Sequence, residues 1–238
     1  ASAQFNLGIC YKNGEGVPQD YKKAFFWFEK AANQDNANGQ FTLGICYYYG
    51  EGVAQDYQKA VYWYEKAAKV GNVSAQNNLG NCYMDGEGVP QDYKKAFFWY
   101  EKAANQGFAS AQFNLGICYK NGEGVSQDYK KAFFWFEKAA NKDNANGQFT
   151  LGICYYYGEG VPQDYKKAFF WFEKAANQGN IDAQFNLGVC FLNGNGVSKD
   201  KKKAMEWFKK AAALGQMDAI QALKKLKKKG LFSFIPHF

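Results

Sequence analysis

Arginine is missing from this chain: all 29 of its Lys and Arg residues are lysines. Lysine is a compact point charge without the planar fork that suits phosphates, carboxylates and guanine, which disfavours bidentate recognition of such groups. Histidine is almost missing too. The single copy, His237, lies in the C-terminal tail. No apolar run approaches the roughly 20 residues of a membrane span, and no signal-peptide pattern is present. No nucleophile, base and orienting group recur together, and no pair of carboxylates sits in an apolar setting. These absences leave no enzyme chemistry, no cofactor and no small-molecule substrate to expect.

The six cysteines, Cys10, Cys46, Cys82, Cys118, Cys154 and Cys190, are evenly spaced along the chain. Strung out in this way they cannot converge on one ion, so no metal site is expected. Equivalent residues of stacked helical repeats sit roughly 8–10 Å apart. A disulfide needs Cα atoms within about 7 Å. Six small buried hydrophobes in a reducing cytoplasm are therefore expected. The net charge of +7 is equally uneven. Eleven lysines stand against three acids between Ser198 and Lys229, so the basic balance belongs to one end.

What is present is one stretch, repeated every 36 residues. The Leu-Gly pair returns at Leu7, Leu43, Leu79, Leu115, Leu151 and Leu187, and all six tryptophans recur in register, from Trp27 to Trp207. A fixed period of this length means a stacked array of supersecondary units. With 19% aromatic residues there is ample apolar volume for a core. Ala3, Leu7, Gly8 and Tyr11 fall three or four apart, on one face of a helix A over about 2–12. Gly8 inside that helix costs about 1 kcal/mol against Ala, so its recurrence implies close helix–helix approach. The glycines at 14 and 16 end the helix in left-handed backbone. Asp20 caps a helix B that buries Tyr21, Ala24, either Trp27 or Phe28, and Ala31. The next connection is short, which makes neighbouring helices antiparallel. The blocks 4–53 and 112–161 differ at only two positions, as if three repeats had been copied whole. A seventh helix A over 218–229, with five lysines around an Ala219, Ala222, Leu223 and Leu226 stripe, reads as a polar cap. Residues 230–238 form an apolar tail. Repeats are placed near 3–38, 39–74, 75–110, 111–146, 147–182 and 183–218. The start in mid-helix, without methionine, reads as a monomeric piece of a longer polypeptide.

Ala3, Leu7, Gly8, Tyr11, Gly14, Gly16, Val17, Asp20, Lys23, Ala24, Trp27, Ala31 and Ala32, with their copies, form a pattern that resembles the Sel1-like repeat, a relative of the tetratricopeptide repeat. The resemblance implies an all-α, right-handed α-solenoid of six helix–turn–helix repeats and a capping helix, with the A helices lining a concave face. It also implies adaptor or scaffold work in protein complexes, including signalling and protein quality control. The cysteine-rich branch of the family carries a second cysteine in helix B. Ala31-Ala32 stand there instead, so the bridges and secretion of that branch are not implied.

By analogy with related superhelices, the positions of helix A off its packing face point into the groove. They are Phe5, Ile9, Lys12 and Asn13 in the first repeat, and Phe41, Ile45, Tyr48 and Tyr49 in the second. The third breaks the pattern with Asn77, Asn81 and Met84. Phe113, Ile117, Lys120 and Asn121 follow, then Phe149, Ile153, Tyr156 and Tyr157, and finally Phe185, Val189, Leu192 and Asn193. Such a stripe suits an extended peptide or a helix of a partner protein. The alternative packs Phe5 and Ile9 between A helices; the groove is the reading adopted. On helix B, Phe26, Tyr62, Phe98, Phe134 and Phe170 either form a second sticky stripe or tuck between helices, and both readings stand. The Gly14-x-Gly16 loops follow a helix and lack Gly-Lys-Ser/Thr, so phosphate cradling is set aside. Ser198 and Lys201 match a bare S-x-x-K spacing without its companion motifs. The lysine-rich cap suggests a second role, docking to an anionic membrane surface or nucleic acid, and is read first as a solvated cap.

Overall fold

The structure, a computed structural model, describes residues 1–228. Among the described residues there are thirteen α-helices and no strand. They fall into two compact units, divided after Gln127. The first holds α1 (Ser2–Asn13), α2 (Tyr21–Ala32), α3 (Ala37–Tyr49), α4 (Tyr57–Lys69), α5 (Val73–Asp85), α6 (Tyr93–Asn105) and α7 (Ala109–Asn121). The second holds α8 (Tyr129–Ala140), α9 (Ala145–Tyr157), α10 (Tyr165–Asn177), α11 (Ile181–Asn193), α12 (Lys201–Ala213) and α13 (Met217–Lys228). Within each unit every helix packs on the next, in the solenoid manner.

Local chemistry sets the element ends. Asp20 sits in extended backbone, and its Oδ1 accepts the Lys23 amide at 3.0 Å, satisfying one orphan donor of α2. That contact, first, holds the Asp20 carboxyl below its usual range, and Asp56 repeats it. At the end of α1, Gly14 takes φ 76° and donates to the Cys10 carbonyl at 2.8 Å. The loop glutamine adds a cap that the repeat pattern did not suggest: Gln19 Nε2 donates to the Lys12 carbonyl at 2.8 Å, and Gln55 and Gln91 do the same for Tyr48 and Met84.

Two glycines explain the packing. A Cβ on Gly8 would lie 2.5 Å from the Phe28 ring, so helices A and B approach as closely as expected. A Cβ on Gly52 would collide with the Tyr21 carbonyl of the preceding repeat. The loop of one hairpin thus seats directly on the helix-B start of the hairpin before it. Leu43, Leu79 and Leu115 are fully buried, as are Ala60, Phe28 and Phe136. Between repeats, Tyr47 meets the Phe25 ring edge-on at 5.4 Å, and Tyr155 meets Phe133 likewise.

For helix B one expectation needs correction and one open choice is decided. Tyr21 is 45% exposed, because the chain is only leaving the loop there, and its hydroxyl accepts from Gln19 instead. Of the pair at 27 and 28, Phe28 is the buried ring and Trp27 is only half-buried. The cap begins one residue earlier than expected, at Met217. Ala219 is buried, and Ala222, Leu223 and Leu226 pack on the cluster around Phe208. Lys229 and the tail 230–238, with His237, lie outside the described residues.

Candidate functional site

Within each unit the outer positions of the A helices form two rows. In the first, each phenylalanine lies half-buried on the buried ring of its own hairpin. Phe5 is 5.7 Å from Phe28, Phe41 is 6.0 Å from Tyr64, Phe149 is 5.9 Å from Phe172 and Phe185 is 5.6 Å from Phe208. Phe113, Ile9, Ile45, Ile117, Ile153 and Val189 are half-buried alongside them. Neither the fully packed reading nor a fully open groove describes these side chains: each keeps one flank on the core and offers the other.

The second row is polar and reaches across repeats. Lys12 Nζ pairs with Glu51 of the next hairpin at 2.7 Å. One repeat on, the Tyr48 hydroxyl donates to Glu87. In the second unit Asn195 Nδ2 donates to the Tyr156 hydroxyl at 2.6 Å. Burial, and then the Glu87 hydrogen bond, push the Tyr48 phenol above its usual range. Tyr49 and Tyr157 extend this row as its most open members, 66% and 64% exposed, each edge-on to the tyrosine before it. Lys120, Met84 and Leu192 are half-buried.

Asn77 does not face a groove. It is 6% exposed, and its Oδ1 accepts from Asn114 at 3.1 Å. An amide in a phenylalanine position is tolerated there because a neighbouring amide satisfies it. Asn81 joins the same network, accepting from the Tyr100 hydroxyl at 2.8 Å. Beside it opens a cleft of about 330 Å³, lined by Met84 and Ile117 but also by Asp85, Asn114, Asn121 and Glu123. Of these last four, Asp85, Asn114 and Glu123 are absent from the residues read off the sequence, whereas Asn121 is among them. Aligning the copies reveals Glu123, since residue 12 of one repeat meets the loop acid 39 positions on.

Helix B carries the second surface. Phe26, Tyr62, Phe98, Phe134 and Phe170 are 46–51% exposed, so the tucked reading fails. Each is capped in place: Lys30 Nζ stands 4.5 Å from the Phe26 ring centroid, with Trp27 edge-on at 5.3 Å. In the sixth repeat Glu206 replaces the aromatic, and Lys210 keeps Trp207 alone at 4.1 Å. Lys224, Lys225 and Lys227 of α13 are exposed.

Reactive groups are muted. None of the six cysteines is in a disulfide, and burial pushes the thiols of Cys46, Cys82, Cys118 and Cys190 up to about 12. Among the described residues no group of His, Cys, Asp and Glu is arranged to hold a metal ion. No described helix is long and apolar enough to cross a membrane.

The family model of the Sel1 repeat matches six times, at 1–36, 37–72, 73–108, 109–144, 145–180 and 181–216. No curated protein matches the chain. Among solved structures, c5321, a protective antigen of uropathogenic Escherichia coli strains with an SLR fold, is 40% identical over 96% of this chain and 49% of its own, with a TM-score of 0.88. A Sel1 repeat protein from Oxalobacter formigenes is 39% identical over 94% of this chain and 65% of its own, with a TM-score of 0.86. The chain thus spans less than two thirds of the length of either.

Proposed function

The chain belongs to the Sel1 repeat family, and on that premise we propose that it is a non-catalytic scaffold whose A-helix face holds an extended peptide or a helix of a partner protein. Sel1 repeat proteins are in general protein-interaction scaffolds. The observation that carries the finer reading is the double row itself. Half-covered aromatic and aliphatic side chains run beside tyrosines and charges already fixed by cross-repeat hydrogen bonds. Covering the open flanks gains apolar burial at about 25 cal/mol per Å². Pre-ordered polar groups lose little further entropy on binding. The cytoplasmic placement is proposed with it, supported by six unbridged thiols.

The test is selection of twelve-residue peptides against the whole chain, followed by affinity measurement for Tyr49→Ala with Tyr157→Ala. Both side chains are about two-thirds exposed, so their removal leaves the fold intact. Loss of affinity in this double variant, with mild dependence on salt, supports the reading. Unchanged affinity in it, with steep salt dependence and loss in Lys224→Gln, Lys225→Gln, Lys227→Gln, moves the site to the cap and rejects the A-helix face.

A further inference from the structure

The third repeat departs from its five copies in one place, and the departure has a chemical consequence. Where the others carry Phe and Ile or Val, it has Asn77 and Asn81. At the last position of helix A, where the others have Asn or Tyr, it has Asp85. Smaller side chains at positions 77 and 81 take volume out of the face, and the cleft of about 330 Å³ between α5, α6 and α7 lies there. Its polar floor is held in place. Tyr100, 3% exposed, donates to Asn81 at 2.8 Å, and Asn114 Nδ2 lies 3.1 Å from Asn77 Oδ1 and 3.3 Å from Asn81 Oδ1.

The cross-repeat row breaks at the same spot. Glu51 is answered by the Lys12 ammonium and Glu87 by the Tyr48 hydroxyl. Glu123 is the next acid in that series, and the residue placed to answer it is Met84, which has no donor. Glu123 keeps a single side-chain amide, Asn121 Nδ2 at 3.1 Å. Asp85 lines the cleft too; its side chain stays exposed, and partial desolvation, then the Glu87 charge, raise its carboxyl above the ordinary range. Neither carboxylate has an ion pair among the described residues. Apolar surface from Met84 and Ile117 completes the lining.

We propose that this cleft binds the side chain of a lysine or arginine in the segment held along the A-helix face, with its charged head between Asp85 and Glu123 and its methylene stem on Met84 and Ile117. The chemistry follows from the lining. An aliphatic stem ending in a cation matches apolar walls leading to two unanswered carboxylates. A carboxylate or phosphate would meet like charge there. At the same position Glu51 and Glu87 are answered from within, so the cleft fixes one register of the bound segment and discriminates its sequence.

The inference rests on the A-helix face being the binding surface, and a probe that needs no long peptide separates the two. N-acetyl-lysine methylamide and N-acetyl-arginine methylamide are titrated into the whole chain, followed by NMR on the side-chain amides of Asn81, Asn114 and Asn121. N-acetyl-norleucine methylamide is the neutral control. Saturable shifts with the cationic probes, at a Kd of about 1–10 mM, and none with norleucine, are expected. Asp85→Asn or Glu123→Gln should weaken binding roughly five-fold or more. Met84→Lys should abolish it while leaving the fold intact, because it rebuilds the Lys12–Glu51 pair. Equal response to norleucine, no shifts at the highest concentration, or indifference to all three variants overturns the assignment. Should long peptides bind the face without preferring a basic residue, the cleft assignment falls and the face survives. Should the small cations bind while no peptide engages Tyr49 and Tyr157, the face falls and the cleft survives.

Discussion

Val70→Gln should stabilise the protein by about 1 kcal/mol. The reason lies in a hydrogen bond that two of the four glycine turns (Gly71, Gly107, Gly179 and Gly215) make and two lack. In the other two turns, built on Asp35 and Asp143, Gln4 and Gln112 Oε1 are unpartnered as well. Gln106 Nε2, in the turn after α6, donates to the buried Gln76 Oε1 at 2.8 Å, and Gln178 donates to Gln148 at 2.7 Å. The corresponding turn residues after α4 and α12 are Val70 and Leu214, 67% and 56% exposed. Neither can donate, and Gln40 Oε1 and Gln184 Oε1 are buried without a partner. Satisfying such an acceptor gains about 1–3 kcal/mol. Ordering a glutamine costs up to about 1.5–2 kcal/mol, less in a turn where it stays partly exposed. The exposed valine gives up little burial. The net gain of about 1 kcal/mol corresponds to a rise in Tm of roughly 2–4 °C. Guanidinium unfolding followed by circular dichroism measures it, and Leu214→Gln repeats the test in the other unit. Gln106→Val should lose about 1–2 kcal/mol in the same assay. A double-mutant cycle of Val70→Gln with Gln40→Leu isolates the pair, since the gain should vanish without the acceptor. If Val70→Gln and Leu214→Gln are neutral or destabilising while Gln106→Val is silent, the turn glutamine is decoration and the reasoning fails.

Phe172→Ala should cost about 3–5 kcal/mol in the same unfolding assay, and Trp171→Ala clearly less, because Phe172 is fully buried and Trp171 half-buried; the reverse order would reject the packing described. Gly52→Ala should destabilise by about 2 kcal/mol or more, from a left-handed φ of 76° and contact with the Tyr21 carbonyl, whereas Gly16→Ala meets no neighbour and pays only the backbone strain. Cys10 is half-buried and the other five cysteines are buried, so a thiol reagent at pH 8 should label one site quickly and the rest only as the fold opens. The raised thiols also set an alkaline limit. Burial holds them at about 12 in the folded chain, above the ordinary thiol value of 9.0, so the stability they contribute is complete below pH 9 and falls from there toward pH 12. Cys82→Ala should flatten that decline in a pH series of unfolding midpoints, and an unchanged slope would count against the burial of that thiol.

Much of the fold was legible because the signal is repeated. One copy of Leu7, Gly8 and Phe28 is a weak pattern. Six in register specify close-packed helical hairpins, and Gly8 against Phe28 is the contact its recurrence implied. Phase within helix B was harder, since Trp27 and Phe28 are adjacent and only their relation to Gly8 decides which ring goes inside. Tyr21 misled because a tyrosine at a helix start reads as apolar while its hydroxyl is bound in the loop. The site was less legible for a different reason. Its rows were visible as helix-face positions, but cross-repeat partners such as Lys12 with Glu51 depend on stacking, which a single repeat does not reveal. Asn77 shows the limit most clearly. Read by its own helix it belongs to the face, and only Asn114, one repeat away, explains why it is buried.

The claim that the A-helix face is the binding surface is tested most directly by hydrogen-exchange mass spectrometry of the whole chain with a selected peptide bound. The account expects slowed exchange in the second halves of α3 and α9, around Tyr48-Tyr49 and Tyr156-Tyr157, with α4 and α10 unchanged. Protection confined to α4 and α10, beneath the exposed aromatics Tyr62 and Phe170, would contradict it.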